Sequence, residues 1–228
     1  MGILAGDGVV VQTDVDLQGN LIKQIFVRAG EIADLHAAIT SSRGDRFRAR
    51  LLHALESKVD RAEVQKIAEE TGLREYRRHL NKLAMFGLIQ VESAPEGEMI
   101  VRTRLGEQAI NALRALERRL GIEEARSLYD ASLGTNSLRL FLRIYSSEKG
   151  VDWDKLKVRF TPAEIGRLSL FLPRSIEGIS AIDKLNEAGL VVYEDDGFIY
   201  MRPKRARGFY QYLRSLLEIL RAHADASS

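Results

Sequence analysis

The chain has 228 residues and nearly balanced charge, because 34 Lys and Arg side chains against 32 Asp and Glu leave a formal net charge of +2. It contains no cysteine, which excludes disulfides, thiolate catalysis and cysteine-ligated metal sites. Its hydrophobic fraction of 45% is typical of a soluble globular protein. Neither an apolar run long enough to span a membrane nor a secretory signal stands out, so we expect a cytoplasmic protein with no membrane partner.

Residues 1–42 are predicted to form an N-terminal β-hairpin followed by a short helix. Apolar and polar residues alternate from Val9 to Leu17, and Gly19-Asn20 suits a two-residue hairpin loop. The helix is expected at Ala29–Ile39. A lone hairpin is marginally stable in water, so this one should pack on the body of the protein or pair with a second copy. Its net acidic charge argues against DNA as its ligand and leaves a protein partner open.

A first domain is predicted over residues 43–134, beginning within the polar stretch Thr40–Asp45. Its opening helix is expected at Arg46–Val59. Asp60 and Glu63 have the spacing of a capping box, in which each residue satisfies a backbone N–H group at the start of a helix. A second helix is therefore predicted to begin just after Asp60.

The second and third helices of this domain have the spacing of a helix-turn-helix. The second ends at Gly72, which permits a tight exit, and the third is predicted at Leu73–Phe86. The inward positions of the third helix are Leu73, Tyr76, Leu80 and Leu83. Its outer positions form what we call the basic stripe: Arg74, Arg77, Arg78, Asn81 and Lys82.

The basic stripe has the side-chain types that contact phosphates and base edges in a major groove of DNA. The plain alternative is a solvated helix face, since exposed helix positions are often charged. A merely solvated face usually mixes charges of both signs, whereas here four cations accompany one acid, Glu75. The stripe therefore favours DNA binding.

A β-wing is predicted after the third helix, from strands Leu88–Glu92 and Met99–Arg104. Its tip is acidic, which argues against entry into a minor groove, but Arg102 and Arg104 at its base are candidates for phosphate contact. The next helix is predicted at Gly106–Leu120 and has a seam typical of a short coiled coil. This seam is expected to be either part of the core or a dimer contact. That seam consists of Ala109, Leu113, Leu116 and Leu120.

Residues 135–228 are predicted to be a second domain that repeats the first. Residues 80–89 align without gaps on residues 182–191, at an offset of 102, and a second acidic wing follows. Under this offset Arg74, Arg78, Asn81 and Lys82 correspond to Ile176, Ser180, Asp183 and Lys184. Because the second set is nearly neutral and mixed in sign, only the first domain is expected to read DNA. The second is left for packing, dimerisation or a protein partner.

Two features close the chain. A C-terminal basic cluster follows the second wing and either holds phosphate or is a solvated loop; it consists of Arg202, Lys204, Arg205 and Arg207. The last helix, predicted at Gly208–His223, is apolar over a broad face. That face must be buried, either on its own domain or against a second subunit.

The segment Arg46–Leu120 resembles the winged helix-turn-helix transcriptional regulators of bacteria and archaea, in the broad ArsR, MarR and PadR style. The likeness rests on the order helix, AEVQKIAEETGL, REYRRHLNKLAMFGLI, wing and TRLGEQAINALRAL. Ser137–Arg202 looks like a degenerate second copy. The resemblance implies tandem winged-helix domains in a mainly α fold, and a homodimer that places two copies of Leu73–Phe86 in successive major grooves of double-stranded DNA. It implies base contacts from Arg74 and Asn81, and phosphate contacts from Arg77, Arg78 and Lys82.

Two other classes of function are alternatives to a DNA-binding regulator. A structural adaptor built of tandem winged helices, like kleisin-binding subunits or membrane-remodelling proteins, is favoured by the acidic wing tips and the apolar last helix and opposed by the basic stripe. An enzyme or nucleic-acid-processing subunit is the third. The four histidines are scattered, and no catalytic or phosphate-binding motif is present, so we expect neither enzymatic activity, nor a metal, nor a cofactor.

Overall fold

The computed structural model describes residues 19–40, 47–55, 58–70, 76–95, 97–131, 133–147, 158–169 and 181–226. Over these residues the chain is mainly helical with small antiparallel sheets, as predicted. The helices are α1 (residues 19–27), α2 (Ala29–Thr40), α3 (Phe47–Ala54), α4 (Arg61–Glu70), α5 (Tyr76–Met85), α6 (Arg104–Leu120), α7 (Ile122–Asp130), α8 (Thr135–Tyr145), α9 (Pro162–Ser169), α10 (Ala181–Glu187) and α11 (Pro203–Ala226). The strands are β1 (Val59–Asp60), β2 (Ile89–Ala94), β3 (Gly97–Arg102), β4 (Val158–Phe160), β5 (Val191–Tyr193) and β6 (Ile199–Met201).

The predicted N-terminal hairpin is wrong for the residues that the structure describes. Gly19 and Asn20 lie in helix α1 instead of in a turn. The physical reason is the spacing of Ile25, Ala29 and Ile32, which recur three or four residues apart and fall on one side of a helix. All three are fully buried. Residues 9–18, the remainder of the predicted hairpin, lie outside the described residues.

Helix α2 lies at the centre of the molecule and confirms the helix predicted at Ala29–Ile39. It packs against α3, α5, α8 and α11. Its side chains are buried nearly all round, and Ile32, Leu35 and Ile39 are fully buried. The Nδ1 atom of His36 lies 3.2 Å from the hydroxyl of Tyr212 in α11. The N-terminal segment is therefore part of the core.

The first unit comprises α3, β1, α4, α5, β2, β3 and α6. The predicted cap at Asp60 is present, because its carboxylate accepts a hydrogen bond of 2.8 Å from the backbone N–H of Glu63. Strand β3 pairs with β1 on one side and with β2 on the other, so the order is β1-β3-β2. The β2–β3 hairpin runs from the pair Ile89 and Arg102 to the pair Ala94 and Gly97, which confirms the predicted wing strands and lengthens the first of them.

The second unit comprises α8, β4, α9, α10, β5, β6 and α11, and its sheet has the same order, β4-β6-β5. Its helix α9 starts with Pro162 in the first helical position. Thr161 and Glu164 form a capping box: the backbone N–H of Thr161 donates to Glu164 Oε2 over 2.7 Å, and the backbone N–H of Glu164 donates to Thr161 Oγ1 over 3.2 Å.

The repeat is seen most clearly at the turn from helix to strand. Gly87 and Gly189 have positive φ angles of 62° and 65°, which suit glycine at the end of a helix. The N–H of Gly87 donates to Ala84 O over 2.8 Å, and the N–H of Gly189 donates to Asn186 O over the same distance. The backbone therefore follows the same path at the two turns, as the alignment of residues 80–89 with 182–191 predicts.

Helices α6 and α11 pack against each other in opposite directions. Gly208, near the start of α11, lies beside the Leu120 side chain at the end of α6, whereas His223, near the end of α11, lies beside Gly87, ahead of α6. The predicted seam of α6 is buried throughout, and so is the predicted apolar face of α11. The α6 seam and the α11 face were each predicted to be either core or a dimer contact. Both are therefore part of the core. The predicted domain boundary at 134–135 coincides with the start of α8, although the buried core continues across it.

Candidate nucleic-acid interface

The outer face of α5 is accessible to a ligand. Leu80 and Leu83 are buried beneath the helix, whereas Arg77, Arg78 and Asn81 are exposed. This is the arrangement that the helical spacing predicts. The first member of the basic stripe, Arg74, lies in residues 71–75, outside the described part of the chain.

Helix α5 is held from behind by elements of both the N-terminal segment and its own unit. It packs against α2, α3 and β2, so its outer face is carried on a buried scaffold. Lys82 is half-buried, with its ammonium group 5.7 Å from the centre of the Phe86 ring. No acidic residue occurs between Tyr76 and Met85, and Glu75, the acid of the basic stripe, lies outside the described residues.

The two arginines at the base of the wing have different environments. Arg104 is exposed at the start of α6. Arg102 is only 11% exposed in its side chain: its guanidinium donates to the Leu52 carbonyl over 2.8 Å and lies 2.5 Å from a Glu107 carboxylate oxygen. Arg102 therefore ties β3 to α3 and α6, and the phosphate contact predicted for it is contradicted by these contacts.

Acidic side chains of the wing are paired with cations from outside the hairpin. Lys58 lies 2.5 Å from Glu92, and Arg61 lies 2.9 Å from Glu98. Both pairs are exposed, so each stabilises the fold only weakly. These two ion pairs nevertheless reduce the negative potential of the wing. That negative potential is the reason why the sequence argues against DNA near the wing. The sequence alone does not predict that Lys58 and Arg61 pair with the wing, because it is the pairing of β1 with β3 that brings them beside it.

The C-terminal basic cluster does not lie in a loop. Pro203 begins α11, so Lys204, Arg205 and Arg207 occupy its first turns. Arg202, Lys204 and Arg207 are exposed. Arg205 is buried, and its guanidinium donates to Glu124 Oε2 over 3.3 Å, to Ser127 Oγ over 3.2 Å and to the Ala188 carbonyl over 3.2 Å. The predicted phosphate contact of Arg205 is therefore contradicted, since it joins α7 to the turn that precedes β5.

The described part of α10, the counterpart of α5, has a different surface. Asp183 and Glu187 are exposed where the first unit has Asn81 and Met85. The hydroxyl of Tyr193 donates to Asp183 over 3.2 Å, and Lys184 lies 2.9 Å from Glu187. Lys184 is thus paired with an acid of its own helix.

The described residues also bear on two other kinds of feature, a membrane-spanning helix and a metal site. Over these residues, no helix is long and apolar enough to cross a lipid bilayer. In the same residues, no group of three or more His, Asp or Glu side chains is placed to hold a metal ion. Comparison with protein-family models, curated proteins and solved structures found no match to this chain.

Proposed function

We propose that this protein binds double-stranded DNA as a transcriptional regulator, with α5 in the major groove. The observation that carries the proposal is the outer face of α5, which exposes Arg77, Arg78 and Asn81 and has no acidic residue. The order α3, β1, α4, α5, β2, β3, with the sheet order β1-β3-β2, supports a winged helix-turn-helix as the scaffold. The same order in the second unit supports a tandem arrangement.

The exposed side chains divide by their chemistry. Arg77 and Arg78 carry fixed positive charge and suit phosphate oxygens, which position a protein on a duplex without reading its sequence. The Asn81 amide both donates and accepts, so it suits the N6 and N7 edge of adenine. Arg104, at the base of the wing, is a further phosphate contact in this proposal.

The first prediction separates these two roles. Arg78→Ala should weaken binding to all duplexes and reduce the slope of log affinity against log salt by about 1, because one phosphate contact is lost. Asn81→Ala should leave that slope unchanged and reduce discrimination between preferred and random duplexes by about 1–3 kcal/mol. Fluorescence anisotropy over a salt series measures both quantities.

Lys184→Ala is the matched control for the loss of charge. It removes one cation from α10, at the position that corresponds to Lys82 in α5, and its side chain is likewise half-buried. DNA affinity should stay within about twofold of the wild type, since the total charge alone contributes little. The proposal would be rejected if Arg78→Ala and Asn81→Ala lost affinity equally with no change in salt slope.

A protein-binding adaptor is the second candidate, and exposed apolar side chains favour it. Met85 in α5 is 67% exposed and Val91 in β2 is 50% exposed, although neither is needed for contact with phosphate. Such side chains are common at protein interfaces. A salt-titrated gel shift on random duplex DNA separates the two functions, because an adaptor should show little or no retention at low salt.

A further inference from the structure

The two units are related to each other as the subunits of a two-fold symmetric dimer are. In each unit a long helix follows the sheet, α6 in the first and α11 in the second, and these helices pack in opposite directions. A two-fold axis that passed between them would exchange the two units. A two-fold axis perpendicular to the two helices produces this antiparallel packing.

Contacts near the far ends of the two helices also join one unit to the other. His223, near the end of α11, lies beside Gly87, the glycine of the turn in the first unit. Glu124, just beyond the end of α6, binds Arg205 beside Gly189, the glycine of the turn in the second unit. His223 follows Glu124 by 99 positions, and Pro203 follows Arg104, where the two helices begin, by the same number. His223 of the second unit therefore lies directly beside the turn of the first, whereas Glu124 approaches the turn of the second unit through Arg205.

We infer that the α6–α11 packing takes the place of a subunit interface, so that one chain alone binds a single half-site of DNA. This inference rests on the proposed function. It replaces the expectation that a homodimer occupies two successive grooves, because the surface that the α6 seam would offer a second copy is filled by α11. The partner it names is a short, non-palindromic duplex segment.

The charges on the two units explain why one groove is used and not two. Residues 76–85 carry Arg77, Arg78 and Lys82 and no acid, whereas the corresponding residues 178–187 carry Lys184 with Asp183 and Glu187. In a symmetric dimer both helices would be cationic. Here the second would be repelled by phosphate, so a two-groove complex would be no more stable than a one-groove complex.

The remaining surface offers little to a second copy. Over the described residues the large apolar side chains that are exposed lie on five different elements: Val27, Met85, Val91, Ile122 and Tyr193. Stable homodimers bury roughly 800 Å² or more on each partner, usually around a contiguous apolar patch. Over the described residues, no single helix or strand therefore offers two exposed large apolar side chains to a second copy.

Sedimentation of the full-length chain, alone and with DNA, tests this inference. The free chain should sediment with the mass of one chain, 25.6 kDa. A random-sequence duplex of roughly 10 base pairs, too short to hold two half-sites whose centres are one helical turn apart, should bind one chain. A duplex of roughly twice that length should bind further chains without cooperativity. A dimer in solution, or cooperative binding of two chains to the longer duplex only, would overturn the inference.

The acidic helix provides a matched variant. Asp183→Asn with Glu187→Gln removes two exposed negative charges from α10, and should leave affinity for the short duplex and its salt slope within about twofold, because α10 does not face that duplex. A large gain in affinity with a steeper slope would place α10 against DNA and refute the single half-site. A monomer that binds neither duplex would refute the proposed function and the half-site together, whereas a DNA-binding dimer would refute the half-site alone.

Discussion

Gly106→Ala should lower the free energy of unfolding by about 3 kcal/mol or more. A Cβ atom at this position in α6 would lie 2.1 Å from the Leu88 carbonyl oxygen and 2.7 Å from Cγ of Arg102. The Leu88 carbonyl cannot move freely, because it accepts a hydrogen bond of 3.1 Å from the Thr103 N–H that fixes the start of α6. Arg102 is also fixed by its bonds to Leu52 and Glu107. Relief of the clash would therefore separate α6 from the sheet.

Gly166→Ala is the control for this substitution. Gly166 also lies in a helix, α9, but a Cβ atom there would meet no atom of the described residues within 4 Å. Alanine should stabilise that helix by about 0.5–1 kcal/mol, because it restricts the unfolded chain and favours helix. Urea unfolding followed by circular dichroism measures the two variants. Equal effects of the two substitutions would contradict the close packing of α6 on the turn before β2.

Lowering the pH from 6.5 to 4 should reduce the free energy of unfolding by up to about 3 kcal/mol through His36 alone. Complete burial between α2 and α11 lowers the pKa of His36 from 6.5 to about 4. In the unfolded chain this histidine takes up its proton near pH 6.5, whereas in the folded protein it stays neutral until about pH 4. The unfolded state binds more protons in that window, so stability falls as pH falls through it.

His36→Phe isolates this effect from the titration of carboxylates. Phenylalanine keeps a ring beside Phe209 and Tyr212, with which the imidazole makes edge contacts at centroid distances of 6.5 and 5.7 Å. It loses the contact between Nδ1 and the Tyr212 hydroxyl, so the variant should be less stable at pH 7 but less sensitive to acid. Urea midpoints at several pH values provide the comparison. Parallel stability curves for the two proteins would show that His36 does not titrate between the folded and unfolded states.

Local signals predicted the repeated elements well. The cap at Asp60 and the matched turns at Gly87 and Gly189 depend on residues a few positions apart, and such interactions are visible in sequence. The hairpin prediction for the N-terminal segment was wrong because two local signals conflicted. Gly19-Asn20 is a strong hairpin signal, but the apolar residues after it have helical spacing, and burial against the core decided between the two.

The roles of individual cations were harder to predict than the position of the helix that carries them. The spacing of Leu80 and Leu83 was enough to show which side of α5 faces outward. Arg102 and Arg205 look like surface cations in the sequence, but their partners Glu107 and Glu124 are set by packing between elements. Pro203 is a sequence signal for an earlier start of the last helix, because proline often occupies the first position of a helix.

The central position of α2 has a consequence for how the protein is made. His36 contacts Tyr212, a residue 176 positions later, so the face of α2 toward α11 stays uncovered until the ribosome has synthesised Tyr212. Until then that part of its apolar surface is open to water, or to a chaperone. Long-range contacts of this kind slow folding and favour aggregation of partly made chains. The protein should therefore complete its native core only after α11 has left the ribosome and packed against α2.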